Sequence, residues 1–99
     1  MKIRELPIEF SKKGVQFKQL VKTDEWYIYE LSKDGSVWYE VFKHKLVNLH
    51  PLDQEREIYD KKECYPSDES FGLWAWCCSD WKCVQKVMKR EFGIDDFQI

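Results

Sequence analysis

A chain of 99 residues fits one domain and leaves no room for a second hydrophobic core. With 43% hydrophobic and 16% aromatic residues it is too apolar for a disordered segment, and 16 Lys and Arg against 18 Asp and Glu, a net charge of -2, exclude a global electrostatic pull toward nucleic acid. The opening Lys2-Ile3-Arg4-Glu5, with Pro7 and Glu9 close behind, lacks the apolar stretch of a secretion signal, and the longest apolar run, Leu73 to Cys78, falls far short of the about 20 residues that cross a bilayer.

Residues 1–99 are therefore read as one cytoplasmic domain without membrane contact, and Cys64, Cys77, Cys78 and Cys83 as reduced thiols. Along the chain, Leu6, Ile8 and Phe10 share one side of a segment that contains Pro7; a residue unable to donate to a ladder predicts an edge strand over Leu6 to Phe10. After Lys12-Lys13-Gly14, a turn signal, Val15, Phe17 and Val21 alternate with Gln16, Lys18 and Lys22, as in a strand with one solvated face. Gln19 and Leu20 break that alternation.

The strongest local signal is Asp34-Gly35, flanked by aromatic and β-branched residues from Trp26 to Ser32 and from Val37 to Val47. A hairpin closed there sets Ser32 opposite Val37. One face then carries Leu31 with Trp38, Tyr29 with Glu40 and Tyr27 with Phe42; the other carries Glu30 with Tyr39, Ile28 with Val41 and Trp26 with Lys43. Both faces are substantially apolar. Either other parts of the chain cover both, or one is a surface for a second copy or a protein partner.

Asp53 to Ser70 is polar and acidic and predicts a long surface loop with a short strand or turn inside it. Phe71 to Cys78 reads as a buried strand, with a lead-in to the following helix as the alternative. If it is a strand, Phe71, Leu73, Ala75 and Cys77 share one face and Gly72, Trp74, Trp76 and Cys78 the other. Ser79-Asp80 offers an N-cap, and Trp81, Val84, Val87, Met88 and Phe92 recur at helical spacing before Gly93, predicting a helix from about Asp80 to Phe92. Ile94 is placed to close the cap, and residues 95–99 read as a frayed tail. The fold class that follows is α+β: an antiparallel sheet of four to five strands with one C-terminal helix packed on a face.

No catalytic, cofactor or metal motif emerges. Zinc sites usually draw on cysteine pairs two to four residues apart, whereas Cys77 and Cys78 are adjacent and nothing in the spacing of His44, His50 and Cys64 makes them converge. Cys64 with His44 or His50 is the one nucleophile and base combination worth naming, and only four glycines leave no phosphate-cradling loop. Lys82, Lys86, Lys89 and Arg90, on the outward face of the helix, are candidate nucleic-acid contacts, the alternative being an ordinary solvated helix face. Trp26, Tyr39, Tyr65, Trp74 and Trp76 are candidate protein-interface residues, because aromatic residues concentrate at interface centres.

Tyr39-Glu40-Val41-Phe42-Lys43, followed by Tyr65-Pro66-Ser67-Asp68-Glu69-Ser70-Phe71-Gly72-Leu73-Trp74-Ala75-Trp76, resembles segments of small uncharacterised bacterial proteins associated with phage or mobile elements. The resemblance runs from about Trp26 to Phe92. It implies a strand-rich domain ending in one helix, and transfers no catalytic residue. The function expected is a non-enzymatic interaction module, a homodimer or the binder of a protein partner. A nucleic-acid-binding accessory protein is the second reading.

Overall fold

The computed structural model describes residues 2–49, 52 and 58–98. In chain order these form β1 (Ile3–Arg4), β2 (Glu9–Lys12), β3 (Val15–Lys22), β4 (Trp26–Lys33), β5 (Ser36–Lys43), β6 (Leu46–Asn48), β7 (Lys61–Glu63), a 3-10 turn (Asp68–Ser70), β8 (Ala75–Cys78) and helix α1 (Trp81–Phe92). An antiparallel sheet runs in the order β2-β3-β4-β5-β8, and a smaller mixed sheet in the order β1-β7-β6, with β1 parallel to β7. The fold is α+β, as the sequence predicts; the small mixed sheet is an addition to that prediction.

Two tight turns set the register of the large sheet. Asp34 (φ 50°) and Gly35 (φ 84°) are both left-handed, the conformation through which a two-residue loop follows the twist of its strands. β4 and β5 pair from Trp26 opposite Lys43 to Ser32 opposite Val37, the predicted partners throughout. Lys13 (φ 52°) and Gly14 (φ 79°) repeat the device between β2 and β3. That turn corrects the position of the edge strand, which runs Glu9–Lys12 rather than Leu6 to Phe10. Pro7 stays outside the ladder, and its carbonyl accepts the Tyr29 hydroxyl at 2.8 Å. The break at Gln19 and Leu20 is a bulge: Gln19 faces Tyr29, Val21 faces Ile28, and the extra residue lets Leu20 and Val21 both pack toward the helix.

Asp80 caps α1, its Oδ1 accepting from the Cys83 N–H at 2.8 Å. At the other end left-handed Gly93 (φ 68°) turns the chain back, so that the Gly93 and Ile94 N–H groups satisfy the carbonyls of Lys89 and Met88. Beyond it the chain returns onto the helix-side layer. Phe97 meets Trp26 edge-on with ring centres 5.3 Å apart, tilts against Trp81 at 5.9 Å, and accepts from Gln85 Nε2 at 3.1 Å through its carbonyl. Ile99 lies outside the described residues.

The strand expected over Phe71 to Cys78 is half that length. The 3-10 turn and left-handed Gly72 (φ 91°) carry the chain round before β8 starts, with Leu73 and Trp74 N–H groups bonded to the Ser70 carbonyl. The turn cancels the predicted alternation: Phe71 and Trp74 pack on the same side as Ala75, and Leu73 is 74% exposed. Of the acidic segment, residues 53–57 lie outside the described residues, while its later part contains β7 and the 3-10 turn.

Both faces of the large sheet are covered. On the helix side Trp26, Ile28, Val41 and Cys78 pack against Val84, Val87 and Met88. On the opposite, tyrosine side Tyr27, Tyr29, Leu31, Phe42 and Ala75 are buried under Leu6, Phe10, Tyr65, Phe71 and Trp74. The second apolar face of the hairpin is thus covered by the segment from Tyr65 to Trp74 and by the N-terminal strands.

Candidate functional site

Two carboxylates interrupt the tyrosine-side layer, and they differ in how completely the fold satisfies them. Glu63, at the end of β7, has a side chain only 3% exposed. It accepts from the Leu6 N–H at 2.8 Å, from Lys22 Nζ at 3.0 Å and from His44 Nε2 at 2.8 Å. Lys22 also reaches Glu5 at 2.6 Å, and the His44 ring stacks on Tyr27 with centres 5.2 Å apart. The Tyr27 hydroxyl is buried beside this carboxylate without a hydrogen bond of normal geometry. Burial alone would raise the Glu63 pKa, but Tyr27, the Leu6 N–H, Lys22 and His44 together outweigh it and hold it at about 2. An ionised carboxylate only accepts, so the proton of the His44–Glu63 bond sits on Nε2. This network joins the small sheet to β3 and to the end of β5. It has little accepting capacity left for a ligand.

Glu40 is different. It lies on β5 between Trp38 and Phe42 on the tyrosine side, opposite Tyr29 on β4 and Cys77 on β8. Its Oε1 accepts a short hydrogen bond from the Tyr65 hydroxyl, and among the described residues no cation pairs with it. Burial raises its pKa, the Tyr65 bond opposes that rise, and the Asp68 charge adds to it. Burial likewise raises the Tyr65 phenol, with Glu40 next in effect. The pair opens into a cavity of about 220 Å³ walled by Phe10, Phe17, Leu31 and Phe71. Phe10 and Phe17 stack at 4.4 Å, and Tyr65 sits edge-on to both. The exposed Lys12 and Asp68 also line it.

The aromatic candidates are divided between the two layers. Trp26 is 7% exposed and belongs to the helix-side core, Tyr39 leans edge-on against Trp81, and Trp76 meets Phe92. Trp74 packs on Phe42 on the tyrosine side, with Lys45 Nζ 4.9 Å over its ring, and of the five only Tyr65 lines the cavity. Glu40 was not a candidate from sequence, although the predicted register already set this charge in an aromatic row.

Lys82, Lys86 and Lys89 line one open groove on α1, but Asp95 and Asp96 from the returning tail line it too, and Lys89 reaches Asp95 at 3.5 Å. Arg90 is bonded to Glu91 at 2.6 Å. The four cysteines are free thiols. Burial pushes the Cys77 and Cys78 thiols up, which disfavours the nucleophilic thiolate. Cys64 Sγ donates to the Tyr65 carbonyl at 3.6 Å while His44 is held by Glu63; His50 lies outside the described residues. Among the described residues no three His, Cys, Asp or Glu side chains are grouped to hold a metal ion, and no helix is long and apolar enough to cross a membrane.

No protein-family model, no curated protein and no solved structure matches this chain.

Proposed function

We propose that the chain is a small non-enzymatic interaction module that binds a protein partner in the cavity beside Glu40 and Tyr65. The observation that carries this reading is the Glu40 carboxylate, set in an aromatic layer, lining an open cavity and, among the described residues, without a cationic partner. Charge is costly to bury, and such a group is retained either because the fold uses it or because a ligand does. Glu63 is of the first kind. Glu40 answers to the second. A partner is preferred to a second copy of the chain because both faces of the large sheet are already covered from within.

The test is a random-peptide display selection on the folded chain, followed by amide chemical-shift mapping of the enriched peptides. Shifts centred on Glu40, Tyr65 and Phe71 are expected. Enriched peptides that map elsewhere, or no enrichment, would overturn the reading. The nucleic-acid alternative draws on the groove of Lys82, Lys86 and Lys89 and would show as strongly salt-dependent binding. Asp95 and Asp96 in the same groove oppose a polyanion, which makes this the weaker reading.

A further inference from the structure

The chemistry of the cavity narrows what a partner must present. We propose that it receives the alkylammonium tip of a lysine side chain on that partner, an inference that rests on the cavity being the partner site. Three observations lead to it. Size comes first: about 220 Å³ is below the about 300 to 1,000 Å³ of pockets that enclose whole small molecules, and suits the end of one side chain. Wall chemistry is next. The rings of Phe10, Phe17 and Phe71 with Leu31 suit a methylene stem, and aromatic faces attract a cation at its end.

Charge is the third. Of the charged side chains lining the cavity, the exposed Lys12 and Asp68 are opposite in sign, whereas the part-buried Glu40 carboxylate has a phenol partner and, among the described residues, no cation paired with it. Lysine is favoured over arginine by the geometry of that carboxylate. A guanidinium binds best as a two-pronged fork on both oxygens. Here Oε1 is taken by the Tyr65 hydroxyl, so Oε2 is left as a one-point acceptor, which matches an ammonium.

The inference is tested by titrating the full chain, labelled with nitrogen-15, with three capped peptides: acetyl-Gly-Lys-Gly-amide and its arginine and glutamine counterparts. The lysine peptide should give saturable shifts at Glu40, Tyr65 and Phe71 and bind about tenfold more tightly than either counterpart. Glu40→Gln, close to isosteric, should weaken lysine binding about tenfold while retaining a folded spectrum. Tyr65→Phe frees Oε1 and should narrow the gap between lysine and arginine. Equal affinity for the glutamine peptide, or unchanged lysine affinity in Glu40→Gln, would overturn the ligand class and leave the cavity as a partner site. If display-selected peptides bind the cavity without lysine, the lysine inference alone fails; if nothing binds there, the proposed function fails with it.

Discussion

Glu63→Ala is expected to lower the stability of the fold by about 3 to 5 kcal/mol, measured by urea unfolding at neutral pH. The substitution removes one acceptor from several donors at once: the Leu6 N–H, His44 Nε2 and Lys22 Nζ, of which only Lys22 keeps another carboxylate, Glu5. The buried Tyr27 hydroxyl loses the carboxylate beside it. The same network sets an acid limb. With a folded pKa of about 2, against 4.5 for the free group, the carboxylate contributes stability that is fully present above pH 4.5 and is lost as pH falls toward 2. That contribution amounts to about 3 kcal/mol. Glu40, whose pKa is raised, acts in the opposite sense: its protonation on acidification relieves a cost of burial. Glu63→Gln should therefore flatten the stability profile between pH 4.5 and 2, and an unchanged profile would show that the network does not hold the small sheet.

Phe42→Ala should cost about 3 to 5 kcal/mol. Phe42 is fully buried, with ring centres 4.8 Å from Tyr65, 5.1 Å from Tyr27 and 5.7 Å from Tyr29. Loss of the ring leaves a void walled by other rigid rings that cannot collapse into it, and so places the cost at the upper part of the range. The experiment separates two accounts of the apolar hairpin. If the tyrosine side is covered from within, truncation destabilises the isolated chain. If that face were open to a partner, the isolated chain would lose about 1 kcal/mol or less and the defect would appear only in binding.

Much of the large sheet was legible because its signals are local. Asp34-Gly35 fixed one turn and hence every pair from Trp26 with Lys43 to Ser32 with Val37. The helix was legible from Asp80, Gly93 and the spacing of its apolar residues. What escaped depends on residues distant in sequence. Phe97 is ordered by Trp26 and Trp81, so the returning tail carries no signal of its own, and with it the neutralising Asp95 and Asp96 went unseen. Glu63 looks like any other acid between Asp53 and Glu69 until the small sheet folds it onto Lys22 and His44. Glu40 stands between these cases. Its place between Trp38 and Phe42, opposite Tyr29, follows from the hairpin register, but its partner Tyr65 arrives from a segment whose path no local pattern predicts. The division of the aromatic candidates has the same origin, since the turn at Gly72 decides on which side Trp74 falls.

The central claim is that the Glu40–Tyr65 pair is kept for binding and not for folding. Its most direct test is the stability of the double variant Glu40→Leu/Tyr65→Phe, measured by urea unfolding at neutral pH. Replacing both members of a partly buried polar pair by apolar groups leaves no unmatched donor and removes the cost of burying the charge. The double variant is therefore expected to be as stable as the parent chain, or more stable by about 1 kcal/mol. A loss of about 2 kcal/mol or more would show that the pair holds the tyrosine-side layer together, and would contradict the claim.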